Sequence, residues 1–132
     1  MNFVEGRIEY KDDNAYFVFG SHSILLPALI RNALANYKDQ RVIFGIRPEH
    51  VSLQPIPGQT QNTITGTIKV IEPLGEQADV CLEIGIDAKM IARVPAESDI
   101  QVGQPIIVYV YAEKAHVFER GRAGNNISLM VR

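Results

Sequence analysis

The sequence has one cysteine, no tryptophan and no long apolar run. The lone Cys81 excludes an internal disulfide and a thiolate-rich metal site, which fits a reducing compartment. No stretch approaches the roughly 20 apolar residues of a membrane-spanning helix, and the N-terminus lacks a basic segment followed by an apolar signal core. We therefore expect a cytoplasmic protein that does not insert into a membrane and holds no metal.

The sequence also lacks a positive charge excess and the common catalytic motifs. Its formal net charge is −2, so we expect no nucleic-acid partner. It contains no phosphate-binding loop, no nucleophile elbow and no zinc-protease helix motif. Glu49 beside His50 is a conceivable proton-transfer pair, but the sequence ties no nucleophile to it. We therefore predict no catalytic residue, no cofactor site and no enzyme activity in this chain.

What is present is a series of short strands and tight turns. Hydrophobic residues make up 46% of the 132, enough for one medium domain or two very small ones. Alternating and β-branched residues predict a mainly β fold, and apolar residues at helical spacing predict one short helix over 27–37. Residues 127–131 read as a closing edge strand or a tail. The predicted strands are 4–10, 15–19, 23–26, 42–46, 63–74, 79–84, 89–94, 106–111 and 117–118.

The two sides of a Pro- and Gly-rich stretch read alike. Gly6-Arg7-Ile8 is similar to Gly66-Thr67-Ile68, and Leu26-Pro27 is similar to Val94-Pro95. This weak repeat predicts a first barrel at 1–54, a linker at 55–62 and a second barrel at 63–132. Each unit has the strand order of a small oligonucleotide/oligosaccharide-binding (OB) barrel, with the helix in the first unit. Packed together as one compact domain, the two barrels close edges that either alone would leave open.

A charged corner follows the apolar strand 42–46. Pro48 removes a backbone donor and fixes φ, so Arg47, Glu49 and His50 are held at a stiff strand exit. Residues alone favour a strand-to-strand corner with a local ion pair over a binding site.

Four ordered motifs and the N-terminal residues resemble a known family. The resemblance is to the C-terminal transport-associated OB (TOBE-like) domain of sugar-importer ABC transporter ATP-binding subunits, of the maltose and glycerol-phosphate type. Gln104 and Ala112 depart from the family pattern, and the motifs of an ATPase domain are missing. The matching motifs are Met1-Asn2-Phe3, Gly45-Ile46-Arg47-Pro48-Glu49-His50, Val70-Ile71-Glu72-Pro73-Leu74-Gly75-Glu76, Ala92-Arg93-Val94-Pro95 and Glu113-Lys114-Ala115-His116-Val117-Phe118.

The resemblance implies a non-catalytic regulatory and dimerisation domain at the cytoplasmic face of a carbohydrate importer. It implies a homodimer, contact with permease subunits through the missing ATPase domain, ATP and Mg bound only in that domain, and in some members a regulatory protein. The alternative is an OB module that binds a small oxyanion or sugar. For Arg47 and Glu49, a role as internal struts stays open beside a contact role. The candidate interface or structural residues are Gly45, Arg47, Pro48, Glu49, His50, Leu74, Gly75, Glu76, Glu113, His116 and Phe118.

Overall fold

A computed structural model describes residues 1–31, 33–37, 40–58, 61–85 and 88–119. In this part of the chain, ten strands form two five-stranded antiparallel sheets, which confirms the predicted mainly β, OB-like architecture. The first sheet has the order β10-β4-β1-β2-β3 and the second has the order β5-β9-β6-β7-β8. The strands are β1 Asn2–Lys11, β2 Asn14–Phe19, β3 His22–Leu25, β4 Arg41–Ile46, β5 Val51–Ser52, β6 Thr63–Pro73, β7 Gln77–Gly85, β8 Ala88–Pro95, β9 Pro105–Val110 and β10 His116–Glu119.

The first hairpin shows how local chemistry sets the register. Lys11 pairs with Asn14, so the turn has two residues, Asp12 and Asp13, with φ of 52° and 66°. Two successive positive φ angles are what a two-residue hairpin turn of type I′ requires, and Asp tolerates them better than most residues. The resulting register places Ile8 opposite Phe17, and both side chains point into the core.

The two sheets exchange their last strands. β5 follows the first sheet in the chain but pairs with β9, with Val51 opposite Val110. β10 follows the second sheet but pairs with β4, with Val117 opposite Phe44. The division into 1–54, 55–62 and 63–132 stays a prediction. The strand pairing shows that each sheet includes one strand from the other side of residues 55–62: β10 in the first sheet and β5 in the second.

A single hydrophobic core joins both sheets. In the first barrel, the rings of Phe17 and Phe44 stack at 4.9 Å between centroids, and both are at most 1% exposed. Gly6 lies beside Phe17, and a Cβ at Gly6 would be only 2.4 Å from the carbonyl oxygen of Val18. This close approach of two strands is the reason β1 carries a glycine. The second barrel is centred on Ile64, Ile68, Leu82, Met90 and Val108, each at most 1% exposed.

The predicted helix at 27–37 is wrong. Among the described residues of that segment, the structure has only the 3-10 turns Ala28–Ile30 and Ala35–Tyr37, and no side chain caps the first turn at Pro27. Without a cap, a segment this short gains too little to nucleate an α-helix. The apolar spacing instead seats Ile30 and Leu34 against the barrel while Leu29 stays 69% exposed.

In the described ranges, no helix has the length and apolar character needed to cross a membrane. The predicted loop at 121–126 and the edge strand or tail at 127–131 lie outside the described residues.

Candidate functional site: an aromatic patch and a charged corner

The charged corner carries the chain from the first sheet to the second. Arg47 is extended, and Pro48–His50 forms a 3-10 turn with proline at its start. The carbonyl of His50 accepts a hydrogen bond from the Tyr111 N–H at 3.0 Å, and the His50 ring meets the Tyr111 ring edge-on at 6.3 Å. The return crossing from β9 to β10 uses a second 3-10 turn, Ala112–Lys114, in which Glu113 is exposed.

The ion pair expected within the corner is wrong. Across the described ranges, neither Arg47 nor Glu49 forms a salt bridge, and both side chains are exposed. The physical reason is that positions two residues apart around a helical turn do not face each other. The turn packs against β8 instead, and this places Glu49 near Arg93.

Arg93 and Asp79 form a bidentate ion pair on the outer face of β7 and β8. The Arg93 Nε donates to Asp79 Oδ1 at 2.8 Å, and its second nitrogen donates to Oδ2 at 3.2 Å. These hydrogen bonds, with a smaller contribution from the Arg93 charge, lower the pKa of Asp79 despite its partial burial. The same bonds raise the pKa of Arg93, helped by the charges of Asp79 and Glu49. This geometry favours a strut role for Glu49, although that role stays a prediction.

The Leu74-Gly75-Glu76 motif lies at the tip of the β6–β7 hairpin. Gly75 has φ of 91°, a left-handed conformation that glycine adopts without strain. The Leu74 N–H donates to the Gln77 carbonyl at 2.7 Å, and the Glu76 carbonyl accepts from the Ala96 N–H at 2.9 Å. Leu74 is 47% exposed, so the hairpin tip presents an apolar side chain to solvent.

Gly45, His116 and Phe118 come together on the outer face of the first sheet. Gly45 of β4 lies between Phe3 of β1 and His116 of β10 in the strand register. A Cβ at Gly45 would be 2.8 Å from Phe118, 3.0 Å from the sulfur of Met1 and 3.4 Å from Phe3. We call these five residues the aromatic patch.

The aromatic patch is partly open to solvent: Gly45 is buried, and His116 and Phe118 are half-buried. Phe3 is 60% exposed and Met1 is 47% exposed, while the Phe3 and Phe118 rings meet edge-on at 5.9 Å. The His116 ring is tilted against Phe118 at 6.1 Å. Contiguous exposed apolar side chains, here Phe3 and Met1 beside the half-buried Phe118, mark surfaces that other molecules cover, whereas scattered ones need no explanation.

Beside the patch, a cleft of about 500 Å³ lies between the first sheet and the β7–β8 hairpin. Phe3 and Phe19 line it together with Glu5 and Lys89. Glu5 pairs with Arg41 at 3.2 Å, whereas Lys89 forms no ion pair with any described residue. We call this space the inter-sheet cleft.

Sequence reasoning missed two buried amides that hold the sheets together. Asn2 donates to the carbonyl of Ile91 and accepts from its N–H, both at 2.8 Å. Asn62 does the same with Leu25, at 3.1 Å and 2.8 Å. Each side chain therefore pairs with the edge strand of the other sheet as a strand residue would. The internal repeat could have indicated these two residues, because Asn2 lies four residues before Gly6 and Asn62 lies four residues before the matching Gly66.

Two family models match the chain. The MalK OB fold domain model covers residues 1–51, and the TOBE domain model covers residues 44–118, more than half of the sequence. The chain belongs to the TOBE domain family. The predicted family resemblance is thereby confirmed, and this TOBE domain is an OB-type domain rather than an ATPase domain.

Relatives of the TOBE domain are ATP-binding proteins of importers. It is 31% identical over 123 residues to the oligosaccharides import ATP-binding protein MsmX of Bacillus subtilis, covering 90% of this chain and 32% of that protein. It is 35% identical over 127 residues to the maltose/maltodextrin import ATP-binding protein MalK of Photobacterium profundum, covering 93% and 33%. It is 36% identical over 88 residues to the sn-glycerol-3-phosphate import ATP-binding protein UgpC of Vibrio vulnificus, covering 64% and 23%.

The chain spans about a third of the length of MsmX and MalK. Among solved structures, the TOBE domain is similar to the cytoplasmic molybdate-binding protein ModG, with a TM-score of 0.67 and 17% identity. That match covers 88% of this chain and 94% of the ModG chain, and it shows a shared fold.

Proposed function

We propose that this TOBE domain is the non-catalytic regulatory and dimerisation module of the ATP-binding subunit of an ABC-type carbohydrate importer. The relatives support the proposal, because three importer ATP-binding proteins match across most of the chain while the chain spans only part of each. In this proposal ATP and Mg bind in an ATPase domain that this sequence does not contain. Permease subunits bind that domain, and the TOBE domain lies at the cytoplasmic face, where it contacts a second copy or a regulatory protein.

The aromatic patch is the observation that carries the dimerisation proposal. Around a two-fold axis the same patch faces itself, so the exposed ring of Phe3 would pack on Phe118 of a second copy. Aromatic anchors contribute a large share of the binding energy of protein interfaces. A stable interface buries roughly 800 Å² per partner, more than these few side chains supply. The isolated domain should therefore associate weakly, and linked ATPase domains would strengthen the contact by raising the effective concentration.

Sedimentation equilibrium of the chain tests this proposal. We expect reversible self-association between micromolar and millimolar concentrations, and at least tenfold weaker association for Phe3→Ser. Leu29→Ser is the matched control, because Leu29 is also exposed but lies in the 3-10 turn Ala28–Ile30. It should leave the association constant within about twofold of the wild-type value. A monomer throughout this range, or equal effects of both substitutions, would contradict the proposed interface.

A second candidate function is binding of a small oxyanion or sugar in the inter-sheet cleft. Lys89, without an ion-pair partner in the described ranges, supplies a positive charge, and Phe3 and Phe19 supply apolar walls. The volume lies within the range of small-molecule sites. Isothermal titration calorimetry with molybdate, phosphate and maltose tests it, with Lys89→Gln as the variant. If none of the three ligands binds, or if the Lys89→Gln variant binds with unchanged affinity, this function is contradicted.

A further inference from the structure

His22 joins the two barrels through a polar contact. It is the first residue of β3, and its Nε2 lies 3.3 Å from the N–H nitrogen of Thr65 and 3.2 Å from the Thr65 hydroxyl. Thr65 lies on β6 of the other sheet. The imidazole ring also stacks on Phe19 at 4.8 Å between centroids. The ring is thus held in one orientation by a partner from each sheet.

This geometry requires a neutral imidazole. A backbone N–H can only donate, so Nε2 must offer its lone pair to Thr65, and the ring proton must then sit on Nδ1. The Nδ1 atom is buried and has no hydrogen-bond partner among the described residues. A proton added at Nε2 would face the Thr65 N–H donor to donor, so the Thr65 N–H would lose its acceptor while the charged ring turned to the Thr65 hydroxyl oxygen, 3.2 Å away.

The contact has no counterpart across the repeat. Ala88 occupies the position that corresponds to His22, because each begins the third strand of its half of the chain. His22 lies three residues before Leu25, which bonds to the Asn62 side chain, and Ala88 lies three residues before Ile91, which bonds to the Asn2 side chain. Alanine cannot form such a hydrogen bond. The two amide bridges of Asn2 and Asn62 occur on both sides and do not titrate. His22 is therefore the titratable member of this set of contacts between the barrels.

No charged neighbour overrides this arrangement. β2 carries no charged side chain, and Tyr16 is its one titratable group; β3 has no other titratable residue. On β6, Lys69 pairs with Glu83 at 3.8 Å, and Glu72 lies seven residues beyond Thr65. Burial is the largest cause and lowers the pKa of His22 below 6.5, and a smaller opposing contribution from the backbone of Thr65 does not reverse this. Among the described residues, no charge contributes to the shift.

We propose that His22 is a proton-sensitive latch between the two barrels: its hydrogen bond with the Thr65 N–H forms when the ring is neutral and is lost when the ring is protonated. Because the pKa of His22 is lower in the folded chain than in the unfolded chain, the latch contributes its full stability above about pH 6.5. That contribution is lost as the pH falls through the folded-state pKa. The barrel–barrel contact thus loosens in mildly acidic solution.

Hydrogen exchange at the Thr65 amide tests the latch in the whole chain. Between pH 7.5 and pH 5 we expect its protection factor, already corrected for the intrinsic exchange rate, to fall at least about threefold. His22→Gln retains an acceptor without titrating, so its protection factor should stay constant. His50→Gln, at a histidine outside this contact, should behave as wild type. A constant wild-type value, or an equal fall in His22→Gln, would overturn the proposal.

A second measurement does not depend on any variant folding. Titration of the three histidine rings by NMR in the wild-type chain gives the pKa of His22 directly. We expect it below 6.5, with the neutral ring protonated on Nδ1. A value at or above 6.5, or a neutral ring protonated on Nε2, would refute the latch.

Discussion

Removing the Asn62 side chain tests whether the amide bridges hold the two barrels together. Asn62 is 1% exposed and donates to and accepts from the backbone of Leu25 at 3.1 Å and 2.8 Å. Asn62→Ala removes both hydrogen bonds and leaves the N–H and C=O of Leu25 without their partner. Its effect on stability should therefore exceed that of any surface asparagine.

The magnitude follows from the groups left behind. An unsatisfied buried backbone group costs about 1–3 kcal/mol, and the lower end applies here because Leu25 is only half-buried. Two such groups give a loss of about 2 kcal/mol in the free energy of unfolding. Asn62→Asp should cost at least as much, because it keeps the volume but turns a carboxylate oxygen toward the Leu25 carbonyl.

Urea unfolding followed by circular dichroism measures these differences. Asn36→Ala is the matched control, since Asn36 is exposed and its side chain forms no hydrogen bond in the described part of the chain. A surface change of this kind should stay within about 0.5 kcal/mol. If Asn62→Ala cost no more than Asn36→Ala, the amide would not be a tie between the sheets and the reasoning would fail.

Two further perturbations probe strand packing and the ion pair. Gly6→Ala should lower the free energy of unfolding by about 3 kcal/mol in thermal unfolding, because the new Cβ would lie 2.4 Å from the Val18 carbonyl oxygen. Gly20→Ala is the control: its Cβ would meet open space, and its φ of 53° should cost only about 1 kcal/mol. Equal losses for the two variants would contradict the packing argument. Asp79→Asn should destabilise at pH 7. Its difference from wild type should shrink as the pH falls through the folded-state pKa of Asp79, which lies below 3.8. A pH-independent difference for Asp79→Asn would rule out the ion pair as its cause.

Much of the fold could be predicted from sequence because strand signals here are local. Alternation and turn residues located nine of the ten described strands to within a few residues, whereas the two-residue β5 was not predicted; Pro48 and Pro27 marked where strands end. The predicted helix at 27–37 was wrong because helical spacing alone does not distinguish a helix from two 3-10 turns, with Ile30 buried in the first and Leu34 buried just before the second.

The sites depend on contacts that sequence spacing does not encode. Phe3 and His116 belong to one surface only because each pairs with Gly45, from opposite sides of β4. The ion pair expected between Arg47 and Glu49 followed from their closeness in sequence, but Glu49 lies near Arg93 instead. Long-range pairing, rather than residue type, decided both results.

The positions of the family motifs are explained by the exchange of strands. The motif containing Pro48 is where the chain crosses from the first sheet to the second, and the motif containing Glu113 is where it crosses back. At each crossing a 3-10 turn must redirect the chain within a few residues, which Pro48 favours by fixing φ. Gly45 then leaves the space that Phe118 fills when β10 returns to β4. These requirements are geometric, so the path of the chain between the two sheets accounts for where the motifs lie.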